Sequence, residues 1–161
     1  AMIISQARDA GITCPIMAGD TWDDISIAQR TGDKATEIYF SAFFDAADTS
    51  NEAGKAFVEG FTKWVAEDSA RVENNGGVTD VISSVTPCGY DAYMAAIGAI
   101  EAAQSTEGAA IRDALATLEI PGLITGDLKF DDNGDAIKNY AVIKTIKDGQ
   151  IVYFSTFNGL E

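Results

Sequence analysis

The spacing of apolar positions changes character along this chain, and each change predicts a different kind of element. At the start Ile3, Ala7 and Ala10 share one face at helical spacing, and Gly11 stands where a helix C-cap belongs. The period then shortens. Residues 12–18 read as a strand, Gly19-Asp20-Thr21-Trp22 as a loop, and residues 23–30 as a short helix ending before Gly32-Asp33. Residues 37–43 read as a second strand, aromatic-rich and uncharged after Glu37. The predicted order α, β, α, β is the rhythm of a parallel sheet with crossover helices.

Helical spacing returns in the middle. Residues 45–51 are polar and turn-like, with Ser50 or Asn51 able to cap the next helix. Phe57, Phe61, Trp64 and Val65 then recur at i, i+4, i+7 and i+8, predicting one long amphipathic helix that stops before the loop Asn74-Asn75-Gly76-Gly77. A third helix over residues 87–104 sets Tyr90, Met94, Ile97 and Ile100 on its predicted buried stripe, with Pro87 suited to its first turn. A fourth carries Ile111, Ala114, Leu115 and Leu118 on one face and ends at Pro121-Gly122. Residues 126–154 read as strand, turn, strand, turn, strand, with Asp131 to Asp135 as a turn cluster and Lys147-Asp148-Gly149 as a hairpin signal. Helices thus fill the middle and strands the two ends, a shift that one doubly wound sheet does not obviously produce. No internal repeat or low-complexity tract interrupts it.

Composition narrows the function classes. A chain of 161 residues can bury one ordinary core or parts of two small ones. No apolar run approaches the roughly 20 residues of a membrane span. The opening Ala1-Met-Ile-Ile runs at once into Ser5-Gln-Ala-Arg-Asp9 and lacks the core of a signal peptide, so the chain is expected to start mature, processed or cut. With a net charge of -14 and 11 Lys and Arg in all, it has no basic face for nucleic acid or an anionic membrane, and the acidity reads as a solvated surface.

Candidate chemistry is sparse. Histidine is absent, which removes the commonest general base, nucleophile activator and zinc ligand together. There is no Gly-x-Ser-x-Gly elbow, no Gly-x-Gly-x-x-Gly after a strand and no phosphate-binding Gly-Lys-Ser or Gly-Lys-Thr. In Asp131-Asp-Asn-Gly-Asp135 the glycine comes too early for a calcium loop and no glutamate stands at the twelfth position, so a plain turn is expected. Cys14 and Cys88 match no metal or redox spacing, and their apolar neighbours predict buried free thiols. No catalytic residue, metal or cofactor is expected.

The loop from Met17 to Asp24 follows a predicted strand and precedes a helix, the place where open α/β sheets bind ligands. From spacing alone Asp20 reads either as an N-cap or as a ligand-binding carboxylate, and Trp22 as a partly buried core residue or part of a rim.

The succession Ser-Gln-Ala-Arg-Asp-Ala-Gly11, Pro-Ile-Met-Ala-Gly-Asp20, Ile-Tyr-Phe-Ser-Ala-Phe43, Lys-Ala-Phe-Val-Glu59 and Gly-Tyr-Asp-Ala92 points further. With the ending Gly126-Asp-Leu-Lys-Phe130-Asp-Asp-Asn-Gly-Asp135, Lys147-Asp-Gly149 and Val152-Tyr153, it resembles the extracytoplasmic solute-binding proteins that feed branched-chain amino acid ABC transporters. The resemblance covers essentially the whole chain. It implies an α/β fold, part of a two-lobed type I periplasmic-binding-protein fold with Rossmann-like three-layer α/β/α lobes. In that layout residues 1–43 are part of lobe 2, residues 44–139 part of lobe 1, and residues 140–161 a C-terminal hairpin returning to lobe 2.

It implies a binding module, not an enzyme, that captures an amino acid of the leucine, isoleucine and valine class between the lobes and delivers it to a membrane permease. The protein would act outside the cytoplasm, in the periplasm or as a cell-surface lipoprotein. Asp20 is implied as the partner of the ligand α-ammonium, because a desolvated zwitterion needs a counter-charge. Gly19, Thr21 and Trp22 are implied at the same rim. Val85 is implied near the ligand side chain, where relatives often carry an aromatic residue and this chain departs. Groups that hold the ligand carboxylate are implied upstream.

The family's chain is considerably longer, so neither lobe is expected to be whole. Its apolar helix faces then call for a complementary N-terminal segment, a swapped copy of the chain or a rearranged fold. The rival readings are a ligand-sensing receptor domain of the same fold, a small α/β enzyme using its carboxylates, and an assembly fragment with no ligand.

Overall fold

In the computed structural model, which describes residues 1–48, 52–138 and 140–159, helix α1 (Met2–Asp9) leads into strand β1 (Ile16–Ala18). The strand expected over residues 12–18 is shorter for a physical reason. The Arg8 guanidinium donates to the carbonyls of Ile12 (2.6 Å), Cys14 (3.2 Å) and Thr36 (2.6 Å), which commits that stretch to a loop, and Pro15 has no N–H to give a ladder. Cys14 is exposed on this loop, not buried as its neighbours suggested, and both cysteines are free. A 3-10 turn (Asp20–Trp22) precedes helix α2 (Ile25–Thr31), whose N-cap Asp24 accepts from the Ser26 N–H at 2.8 Å.

Strand β2 (Ile38–Ala42) pairs in parallel with β1, Ile16 opposite Ile38, as the crossover rhythm predicts. The last two long strands, β5 (Tyr140–Lys147) and β6 (Gln150–Asn158), join antiparallel to give the order β1-β2-β5-β6. Their turn has Asp148 at φ 52° and Gly149 at φ 72°, the left-handed pair that a two-residue hairpin of natural twist requires. Period-2 burial on β2 places Ile38 and Phe40 against Ile4, Ala28, Ala35 and Ile146, with Trp22 partly buried on the same cluster. Each large apolar side chain buried there contributes roughly 1.5–3 kcal/mol.

The middle of the chain holds helices α3 (Glu52–Ala66), α4 (Ser69–Asn74), α5 (Thr86–Ala103) and α6 (Gly108–Leu115), followed by a small hairpin of β3 (Lys129–Phe130) and β4 (Ala136–Ile137). Ser50 and Asn51, the predicted caps, lie outside the described residues. The predicted long helix is two. Asp68 is extended at φ −144°, and its carboxylate accepts from the Ala70 N–H at 2.8 Å, so it caps a new helix where continuation was expected. Leu118 lies beyond the end of α6.

The buried face of α5 also differs from the expected stripe. Pro87, Asp91, Ala95 and Ala99 are buried, whereas Tyr90, Met94 and Ile100 are exposed. Small residues let the helix approach the 120–130 segment, where Ala95 packs with Leu123 and Leu128. Asp91 is inside because its carboxylate accepts from the Ile124 N–H (3.0 Å), the Thr125 N–H (2.8 Å) and the Thr125 hydroxyl (2.7 Å).

Candidate functional site

Three of the surface hollows differ in both size and chemistry. Two are large: a groove of about 760 Å³ along Phe57, Phe61, Trp64, Tyr90 and Met94, and one of about 580 Å³ beside Ile120 and Leu128 with Glu119, Asp127, Lys129 and Lys138 around it. The aromatic groove is almost wholly apolar in its named lining. A third, of about 130 Å³, is lined by Asp20, Ser41, Phe43, Thr125, Lys138 and Tyr140, with Ala42 and Ala141 between them. Open α/β sheets bind ligands at the carboxyl ends of their strands, and this hollow, which Asp20 enters just after β1, is the candidate.

Each wall is fixed by local structure. Asp20 opens the 3-10 turn at the carboxyl end of β1 and is half-buried. The Trp22 N–H donates to the Gly19 carbonyl (3.1 Å) and the Asp23 N–H to the Asp20 carbonyl (2.9 Å), so the turn is closed by its own backbone. In the same lining, Lys138 donates to the Thr125 hydroxyl (3.0 Å) and the Gly126 carbonyl (3.2 Å). Burial lowers the pKa of the Lys138 ammonium, and the Asp91 charge opposes that shift.

Tyr140 closes the floor. Its hydroxyl donates to Asp48 at 2.6 Å, and the Thr156 hydroxyl donates to the same carboxylate oxygen at 2.6 Å. Burial first, and then the Asp48 bond and charge, push the phenol far above its usual range. The Cys88 thiol in the first turn of α5 is likewise pushed up by burial, then by the Asp91 charge, with a smaller contribution from Asp20. Both groups are thereby held in their un-ionised, non-nucleophilic forms. A carboxylate, an ammonium and several hydroxyls lining one hollow suit the binding of a small polar or zwitterionic molecule.

Of the residues singled out in the sequence, Asp20 lines this hollow. Gly19 and Thr21 are exposed at its turn, and Trp22 leans onto the sheet core. Val85 precedes α5, is 55% exposed and does not line the hollow. Sequence reasoning missed Ser41, Thr125, Lys138 and Tyr140. No motif marks them, because they come together only when segments far apart in the chain fold against one another.

Comparison with known proteins points the same way. A profile of the family described as periplasmic binding protein matches residues 1–150. The structure of a leucine-binding protein, LivK, from Thermotoga maritima is similar at 30% identity and a TM-score of 0.71, over 98% of this chain and 41% of that one. The branched-chain amino acid substrate-binding protein LivJ from Streptococcus pneumoniae, solved with isoleucine, gives 26% identity and a TM-score of 0.65 over 97% and 40%. A solute-binding protein of an R. palustris ABC transporter, solved with benzoate, shares the fold at 15% identity and a TM-score of 0.61 over 98% and 40%. No curated protein sequence matches. This chain spans about 41% of the length of LivK and carries the corresponding part of a mixed α/β, type I periplasmic-binding-protein fold. The profile match over residues 1–150 and the likeness to LivK together show that the chain belongs to the periplasmic binding protein family.

Proposed function

We propose that this protein captures a branched-chain or other small aliphatic amino acid in a cleft between two lobes, with Asp20 as the partner of the ligand ammonium, for uptake through an ABC transporter. The observation that carries the proposal is the position of Asp20. Its carboxylate stands at the carboxyl end of a parallel strand and lines a polar hollow with Thr125 and Lys138 of the helical half. The likeness to LivK and to isoleucine-bound LivJ supports an aliphatic amino acid as the ligand class.

In this reading residues 1–43 belong to one lobe, 44–139 to the other, and 140–161 return to the first. Ligand binding then draws the lobes together and presents the closed form to a membrane permease. The site of action is outside the cytoplasm, and the protein performs no chemistry on its ligand. The apolar groove on α3 and α5 is the face where further chain, or a second copy of this one, would pack. Native mass spectrometry tests that part: a stable monomer of 17.0 kDa would count against it.

The ligand reading is tested by calorimetry on the full-length protein with leucine, isoleucine, valine and alanine, with benzoate as the contrasting ligand. Asp20→Ala is expected to cost about 3–5 kcal/mol of binding, because it leaves the ligand ammonium desolvated without its partner. Equal affinity in parent and Asp20→Ala would remove Asp20 from the site. Binding of benzoate alone would overturn the ligand class.

A further inference from the structure

We propose that Lys144 is a positioning residue for the Asp20 turn, holding it from beneath through the carboxylate of Asp23. The proposal rests on the ligand-binding reading of Asp20. On β5 the inward positions are Val142, Lys144 and Ile146, so a lysine occupies the centre of an otherwise apolar stripe and is 5% exposed. An ammonium out of water is costly unless it is paired and hydrogen-bonded. Here two carboxylates meet it. The oxygens of Asp23 lie at 3.0 and 3.2 Å from Nζ, and an oxygen of Asp45 at 3.2 Å.

The two carboxylates sit in different places. Asp23 is the C-cap of the 3-10 turn that begins at Asp20, and its N–H bonds to the Asp20 carbonyl. Holding the Asp23 side chain therefore sets the height and tilt of the turn above the sheet. On the other side Asp24 is committed to capping α2, so the turn is gripped at two successive residues. Asp45 lies in the chain that leaves β2 and has no bond to the turn among the described residues. An apolar side chain at residue 144 would be the less expensive filling of the stripe, so the lysine points to geometry over stability.

Asp23→Ala and Asp45→Ala remove the same charge and the same atoms from the triad, and each leaves Lys144 with one carboxylate. Asp45 also accepts from the Ala47 N–H at 2.8 Å, so a purely structural triad responds to Asp45→Ala at least as strongly as to Asp23→Ala. Positioning predicts an asymmetry. Asp23→Ala is expected to weaken L-leucine binding in the full-length protein by about tenfold or more, and Asp45→Ala by much less.

A second measurement needs no ligand. In a Trp64→Phe background Trp22 is the single tryptophan of this chain and lies in the turn itself. Acrylamide quenching of Trp22 is expected to rise with Asp23→Ala and to stay near the parent value with Asp45→Ala. Lys144→Met should raise quenching as Asp23→Ala does; if that variant fails to fold, the two aspartate variants still decide. Losses of affinity and quenching in Asp45→Ala equal to or above those in Asp23→Ala would overturn the proposal. If the parent does not bind L-leucine, the ligand reading of Asp20 has failed, and the quenching comparison alone decides whether Lys144 positions the turn.

Discussion

The sheet half and the helical half of this molecule bury their apolar residues by different rules. On β2 and β5 the large inward side chains are buried, and Ile4 of α1 joins them although Ile3, expected on the buried face of that helix, is 66% exposed: Ile4, Ile38 and Val142 are fully buried and Phe40 is 1% exposed. On α3 Val65 is buried, on α5 Pro87, Asp91, Ala95 and Ala99, while the larger Trp64, Tyr90, Tyr93 and Met94 face outward. Exposed Trp64 and Tyr90 are joined by half-buried Phe57 and Phe61. Phe57 stacks on Phe61 with ring centres 5.7 Å apart, Phe61 meets Trp64 at 6.0 Å, and Tyr90 meets Phe57 at 5.7 Å, so they form one row along a groove. A strand finds its partners within this chain and its alternation is satisfied there. A helix stripe needs a second layer, and on α5 it is the face carrying Ala95 and Ala99 that meets one.

The largest test of that difference compares one aromatic from each half. Phe40→Ala is expected to cost about 3–5 kcal/mol, because the ring is enclosed and the sheet cannot collapse onto the space it leaves. Trp64→Ala removes a larger side chain but one that is 50% exposed, with the Arg71 guanidinium 4.3 Å from its ring centre. About 1 kcal/mol or less is expected there. Urea unfolding of the two variants measures both. Equal losses would mean that the aromatic row is a true core.

A smaller effect tests the polar anchor of the helical half. Asp91→Ala takes away the acceptor of three hydrogen bonds and leaves Lys138 without the charge that favours its ammonium. A loss of about 2–3 kcal/mol is expected. The 120–130 segment should loosen with it, which amide hydrogen exchange at Ile124 and Thr125 would report. Unchanged exchange there would show that α5 is held by its alanine face alone.

The same contrast sets how much of the molecule was legible in the sequence. The β1–α2–β2 unit, the Asp148-Gly149 turn and the Asp20 turn depend on local spacing and were readable. Residues 142–146 fall in the expected strand, but the burial register puts Lys144 inside, and only its meeting with Asp23 and Asp45 explains why. The α5 stripe was misread because the rule that large apolar residues face inward assumes a covering layer. Asp91 was hidden for the opposite reason, since its partners lie 33 and 34 residues away. Of the candidate site, Asp20 could be found from its loop, whereas Thr125, Lys138 and Tyr140 could not.

The finest comparison uses one turn carboxylate from each half. Asp24 accepts from the Ser26 N–H at the start of α2, and Asp131 accepts from the N–H groups of Asn133 and Asp135, both at 2.9 Å. These backbone bonds, more than any nearby charge, lower both acids below their ordinary value of 3.8. A carboxylate lowered in the folded state gives its full stabilisation above the unfolded pKa and loses it as the pH falls through the folded one. Asp24→Asn and Asp131→Asn keep an acceptor oxygen and abolish the titration. Each variant should therefore be less stable than the parent at neutral pH by a small margin that closes below pH 3.8. Because both carboxylates are bound locally, the two margins should take the same pH course, whichever half is better packed. A margin that stayed constant as the pH fell would mean that the amide disturbs the turn itself. A margin that closed at higher pH for Asp131 than for Asp24 would mean that the β3–β4 turn opens before its acid is protonated, and that the helical half gives way to acid first.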